Sequence, residues 1–239
     1  MGRLSKQVLG FLQGKVGGYV IRKRYGKAIV YVLPDIYNLS QTPEAKKSRA
    51  KIIPMSRFSS FIASIPELKY IWAHNDINAS SAYHKIIKLN FPLFEYNCPT
   101  KGNIITPLGS FLCSVTDQKI SPEGFSFDLI IEENKRLLLR GAKEVTAIGV
   151  ICFYDPLIKK KEYFALSKII IDSVDLKVDE TFKIILPFDE EGKKYYSLYK
   201  NIILYFTLVT KDNNGTPLRH SMWYSEEFTR TLPKVRKGK

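Results

Sequence analysis

The sequence predicts an α+β fold: a basic N-terminal β-hairpin with three to four helices, then a seven-stranded antiparallel β-sandwich. Three observations predict it. Apolar residues recur every second position before residue 34, with helical spacing from about 43 to 89, and every second position again from about 110 to 230. Gly and Pro punctuate the stretch Tyr96 to Pro107, which reads as a linker between the last two regimes. Turn signals then divide the C-terminal half into strand-length pieces.

The hairpin comes first. Residues 18–24 and 27–33 alternate around a Tyr25-Gly26 turn. In the second strand Ile29, Tyr31 and Leu33 share one face and Ala28, Val30 and Val32 the other, so cover is expected on both sides. In the first strand Arg22 and Arg24 share a face with Val20, and Lys23 joins Tyr19 and Ile21, which makes its tip exposed and positive. Gly17 and Gly18 permit a bend just before it.

Thr42-Pro43-Glu44 reads as an N-cap, Pro at the first helical position and an acid in the first turn. Lys46, Lys47, Arg49 and Lys51 follow, and Pro54 is expected to kink or restart this helix. Phe58, Phe61, Ile62 and Ile65 give a buried stripe. Ser64 to Glu67 has the form of a capping box opening a helix through Trp72, and a further helix over about 79–89 buries Ala82, Ile86 and Leu89.

Seven strands follow, near 110–116, 124–132, 144–154, 162–171, 181–187, 202–210 and 220–230, with turns at Ser121 to Gly124, Glu190 to Gly192 and Asp212 to Gly215. Seven strands in this length match an immunoglobulin or fibronectin type III sandwich, with 187–201 as the crossing between sheets. The expected division is 1–103 (hairpin and helices), 104–230 (sandwich) and 231–239 (basic tail).

Charge is unevenly placed. The chain has a net charge of +14, yet residues 1–60 hold 12 Lys or Arg against only Asp35 and Glu44. Residues 104–229 carry 16 basic and 18 acidic residues, and the last ten add five basic ones. A cationic N-terminal segment on an electrically neutral scaffold is the footprint of a surface facing polyanions or acidic partners. The candidate docking residues are Lys15, Arg22, Lys23, Arg24, Lys27, Lys46, Lys47, Arg49 and Lys51. Candidate interface aromatics are Tyr19 and Tyr25 in the hairpin, and Trp223 and Tyr224, one facing in and one facing out of the last strand, the outward one serving as an interface anchor or equally as cover for the helical domain.

Enzyme chemistry finds little support. Gly14-Lys15 is followed by Val16 and a strand, where a phosphate loop needs Ser or Thr and then a helix. The three Cys and three His are scattered without ligand spacing, so no metal and no cofactor is expected, and Cys113 and Cys152 read as small core residues. The acid pairs Asp189 to Glu191 and Glu132-Glu133 read as solvated turn and strand-end groups. No run reaches the length of a membrane span and no secretory signal is evident, which leads to the expectation of a cytoplasmic or particle-associated protein.

The pieces GKVGGYVIRKRYGKAIVYVLP, TPEAKKSRAKI, AIGVICFYDPLIKKKEYF, TFKIILP and ILYFTLVTKDNNG together resemble a widespread bacterial family of unknown function. Its pattern has G-K-x-G-x-x-V, then G-K-x-x-V-R-x-x-P, a T-P-x-x-x-x-x-R helix and a C-terminal immunoglobulin-like domain. Tyr31 stands where that pattern has Arg. The resemblance implies an architecture and no activity. The function expected from the residues is a non-enzymatic structural or adaptor component of a larger assembly, phage-like or otherwise, that docks on protein subunits through the basic surface and self-associates. The alternatives are a sequence-nonspecific DNA- or RNA-binding protein using the same surface, and an enzyme with a pocket between the two parts.

Overall fold

The computed structural model describes residues 2–3, 14–24, 27–32, 39–131, 140–158, 162–174 and 181–230. The chain divides into a first unit, Met1–Lys46, and a second, Lys47–Lys239.

In the first unit β1 (Gly2–Arg3), β2 (Gly14–Val16), β3 (Tyr19–Arg24) and β4 (Lys27–Val32) form one antiparallel sheet in the order β1-β4-β3-β2. The expected hairpin is present, with Val20 opposite Tyr31 and Arg22 opposite Ile29. Gly17 and Gly18 are a two-residue turn between β2 and β3, and Gly17 takes φ +57°, a conformation that costs glycine nothing. Cover of β4 is partial: Ile29, Val30 and Tyr31 are half-buried and Val32 is 65% exposed.

Helix α1 (Pro43–Ala63) starts where expected, with Thr42 Oγ1 accepting from Ala45 N at 3.3 Å. It runs unbroken through Pro54, against the expected restart. Pro54 deletes one backbone bond, but Met55, Phe58 and Ile62 are buried just beyond it, and this packing holds the helix together. Helix α2 (Pro66–Ala73) lacks the expected capping box: its N-cap is Ile65 without a side-chain bond, and Ser64 Oγ donates back to Phe61 O. Helix α3 (Ala82–Asn90) is capped by Ser81 and continues into a 3-10 turn at Phe91–Leu93.

The strands that follow are β5 (Cys113–Ser121), β6 (Gly124–Ile131), β7 (Glu144–Pro156), β8 (Phe164–Ile171), β9 (Phe182–Pro187), β10 (Tyr199–Lys211), β11 (Pro217–His220) and β12 (Tyr224–Thr229). They form a three-stranded sheet, β5-β6-β9, and a five-stranded one in which β8, β7, β10 and β11 follow in order and β12 also pairs β10. The molecule is therefore α+β, with helices and three antiparallel sheets. Two expectations change. Helix α4 (Glu190–Leu198) replaces the expected turn at Glu190 to Gly192, because Asp189 Oδ1 accepts from Gly192 N at 2.7 Å and caps it. The expected last strand divides in two at Ser221, whose Oγ accepts from Leu208 N at 3.0 Å.

Strands β7 and β10 are buried on both faces. Alternate residues feed two cores: Ile151, Phe153, Leu204 and Phe206 meet Phe125, Phe127 and Leu186 of the small sheet, whereas Val150, Cys152, Ile203 and Tyr205 meet Phe58, Ile62 and Trp72 of the helices. The second unit is thus three layers: helices, large sheet, small sheet. One core runs across the division expected at 103/104, and the stretch Tyr96 to Pro107 is anchored into it. Cys98, Asn103, Ile104, Ile105 and Thr106 are buried there. Trp72 Nε1 donates to Ile105 O at 2.7 Å, and Tyr205 Oη donates to Thr100 O at 2.6 Å. Asn90 accepts from Ile104 N at 2.8 Å and donates to Ile104 O, while Asn103 accepts from Thr100 N at 2.7 Å. Buried irregular backbone must be satisfied group by group, and two asparagines do it here.

Candidate docking surface

The buried stripe of α1 at Met55, Phe58, Ser59 and Ile62 fixes what its other face presents. Lys46 and Lys47 are exposed, and Arg49 and Lys51 are half-buried. These four cations make no ion pair with any described residue. Lys51 Nζ lies 6.0 Å from the centre of the Phe91 ring. Basic residues crowd the first half of α1 and none lies in its last turn, while Glu44 occupies the first turn. Ile52 and Ile53 lie beside them, 55% and 78% exposed. One turn further, Arg57 donates to Glu162 Oε2 at 2.5 Å.

In the first unit Lys15 and Arg22 are exposed, and the Arg22 guanidinium lies 5.7 Å from the centre of the Tyr31 ring. Lys23 pairs in register with Ala28 and Arg24 with Lys27; the side chains of these three basic residues, and Tyr25, lie outside the described residues. Tyr19 is 54% exposed. The hairpin cations and those of α1 beyond Lys46 belong to different units. Trp223 and Tyr224 face opposite sides: both are half-buried, Tyr224 against the inter-sheet core and Trp223 against the helical core. The basic tail 231–239 and Glu132-Glu133 lie outside the described residues.

Other charged groups are consumed internally. Lys211, nearly buried, reaches Glu67 Oε1 at 2.8 Å and Asp172 Oδ1 at 3.1 Å, and Thr146 Oγ1 donates to the same Asp172 oxygen at 2.8 Å. This ties α2 to the large sheet, and it is the use of Glu67 that the capping-box reading missed. Burial pulls the Lys211 ammonium down, but its bonds to Glu67 and Asp172 outweigh that and leave it raised. The hydroxyl of Thr146, then Lys211, hold the Asp172 carboxyl below its ordinary range. Burial pushes the Cys98 thiol up to about 11, with Glu95 and Glu227 adding to it, so it is a poor nucleophile. Cys152 is buried and raised by the same desolvation.

No three His, Cys, Asp or Glu among the described residues form a group able to hold a metal ion. An open hollow of about 220 Å³ lies on the small sheet beside Lys119, Phe125, Ile185 and Lys193, but Lys193 is already bound by Glu123 at 3.2 Å. His74 and His84 bond to residues within four positions of themselves, whereas His220 lies against the backbone of Pro107 and Leu108 and burial lowers its imidazole. No described helix is long and apolar enough to cross a membrane.

No family model and no curated protein matches this chain. Two solved structures resemble part of it, both of a beta-glucosidase from Kluyveromyces marxianus. The selenomethionine-labelled form is 13% identical at a TM-score of 0.21, over 51% of this chain and 14% of that one. The glucose complex is 14% identical at a TM-score of 0.22, over 62% and 19% respectively. The chain spans less than a fifth of those structures, and likeness at this level bears on neither fold nor activity.

Proposed function

We propose that this protein is a non-enzymatic structural or adaptor component of a larger assembly, and a member of the bacterial family its motifs resemble. The cations of the hairpin (Lys15, Arg22, Lys23, Arg24, Lys27) and of α1 (Lys46, Lys47, Arg49, Lys51) dock it on acidic partner surfaces. The observation that carries this reading is that the four α1 cations make no ion pair with any described residue, although Glu44 lies in the same first turn.

The second unit serves as the rigid module. Taken in chain order as A, B, C, C′, E, F and G, strands β5, β6, β7, β8, β9, β10 and β12 place A-B-E in one sheet and C′-C-F-G in the other. That order supports an immunoglobulin-like sandwich, with β11 an addition beside β12. A sandwich with one sheet buried on both sides offers stiffness and leaves little room for a cleft, which favours scaffolding over catalysis.

The test is photo-crosslinking from positions 22, 47 and 49 in the native cell. Defined protein partners, lost when Arg22, Lys47 and Arg49 are all changed to Glu, are the expected result. Crosslinks only to DNA or RNA, with affinity for mixed-sequence duplex falling steeply with salt, would replace this reading with nucleic-acid binding.

A further inference from the structure

Asn90, Asn103 and Asn75 are held by the fold. The first two spend their amides on buried backbone, and Asn75 Oδ1 accepts from Ile77 N at 3.0 Å. The residues after them, Phe91, Ile104 and Asp76, are large. Asn214 differs on each count. It lies in the exposed turn Asn213-Asn214-Gly215 between β10 and β11, and its side-chain amide has no partner among the described residues. It is also the one asparagine in the sequence followed by glycine.

That pair of residues has a chemistry of its own. The glycine nitrogen attacks the side-chain carbonyl carbon of the asparagine, loses its proton, closes a cyclic succinimide and expels ammonia. Water then opens the ring at either carbonyl, which leaves aspartate or, with the main chain rerouted through Cβ, isoaspartate. A side chain on the attacking residue obstructs the first step. Gly215 has none, and no atom beyond its chain neighbours lies within 4 Å of where one would begin. Glycine also reaches the backbone geometry of the ring at the least cost.

The turn carries a latch. Gly215 N donates to Asp212 O at 3.1 Å, which occupies the attacking group. Asp212 Oδ1 accepts from Asn214 N and from Thr216 N, both at 2.8 Å, and Asp212 N donates to Thr216 O at 3.0 Å. One aspartate thus fixes a turn whose nucleophile must leave its acceptor before it reacts, at a surface position where water competes for that bond.

We propose that Asn214 is a site of spontaneous deamidation in the native protein, and that Asp212 is the positioning residue that sets its rate. The reaction adds a carboxylate to the turn, and the isoaspartyl product adds an atom to the backbone path that the bonds from Gly215 N to Asp212 O and from Asp212 N to Thr216 O span. The register that sets Thr210 opposite Arg219 then loosens, and β11, at the edge of the large sheet, comes away from β10. The inference is independent of what the protein docks on.

The test is an ageing experiment on the full chain at mildly alkaline pH, beside the free peptide Asp212–Arg219, which trypsin also releases from the protein by cutting after Lys211 and Arg219. After several half-lives of the free peptide, mass spectrometry should show loss of the Asn214 amide in the protein, as two acid isomers with isoaspartate the larger. An isoaspartyl carboxyl methyltransferase supplied with labelled S-adenosylmethionine should then label the aged chain and leave aged Asn214→Gln unlabelled, because the longer side chain closes its ring far more slowly. Asp212→Ala should speed the conversion severalfold, toward the rate of the free peptide. Hydrogen exchange at residues 217–220 should lose protection with age in the native chain and keep it in Asn214→Gln. An Asn214 amide still intact at that time, or conversion spread equally over the other asparagines, overturns the proposal. An Asp212→Ala chain that converts no faster than the native one overturns the role given to Asp212.

Discussion

The two faces of the large sheet are built from the same strands and solve different problems. Toward the small sheet, β7 and β10 present Phe153, Leu204 and Phe206 to a core of phenylalanines, where packing is a matter of volume and ring geometry: Phe127 and Phe206 meet edge to face at 4.9 Å. Toward the helices they present Tyr205, and Lys211 at their end, and this face is pinned by hydrogen bonds from Trp72, Asn90 and Asn103 and by the Lys211 ion cluster. Regular strands satisfy their own backbone, so the inter-sheet core is mostly apolar. The helical layer includes a buried irregular segment, 98–107, and needs specific polar partners. Specificity is concentrated on one face and bulk stability on the other.

The sharpest way to break this contrast is Asn90→Leu. It keeps the branched shape but orphans Ile104 N and O and removes one of the two bonds of the Asn103 amide, and should cost about 4 kcal/mol in chemical denaturation. Lys211→Met follows, at about 3 kcal/mol, because Glu67 is left nearly buried without its cation; adding Glu67→Leu should recover most of that loss in a double-mutant cycle. A recovery of nothing would mean the cluster is not a paired unit. On the opposite face Phe206→Leu, a change of shape without a polar group, should cost about 1.5 kcal/mol. Tyr205→Phe, which removes one buried bond to Thr100, should cost about 1 kcal/mol.

The smallest effect is in pH. Asp172 has a lowered carboxyl, so its contribution is present above the ordinary carboxylate range and fades as pH falls through its folded value. Lys211 is raised, so its share is present below the ordinary lysine value and fades as pH climbs through the raised one. Thermal melts should therefore show a shoulder of stability between acid and strongly alkaline limits that Lys211→Met flattens at both ends.

Much of this was legible in the sequence where a local rule governs. Thr42-Pro43 marks the start of α1, alternation marks β5 to β10, and Asp212 to Gly215 forms its turn with Gly215 at φ +74°. Failures came where distant partners overrule local signals. Pro54 sits inside α1 because packing outweighs one lost bond, and Glu67 serves Lys211 at the far end of the chain rather than its own helix. Gly and Pro in 96–107 signal irregular backbone, and nothing in their spacing says that Asn90 and Tyr205 will bury it. For the candidate docking surface, the cations could be read directly, whereas exposed Ile52 and Ile53 could not, since an aliphatic pair in a helix usually faces the core.

Strand β10 has a last implication. Along its 13 residues it pairs with β7 throughout, with β12 at its start and with β11 at its end, and it supplies side chains to both cores. During synthesis the helices and β7 therefore leave the ribosome well before the strand that completes either of their cores. Until Tyr199 to Lys211 arrives, Trp72, Phe58 and the inner face of β7 lack the strand that completes their cover, so both cores can close only after most of the chain has been made.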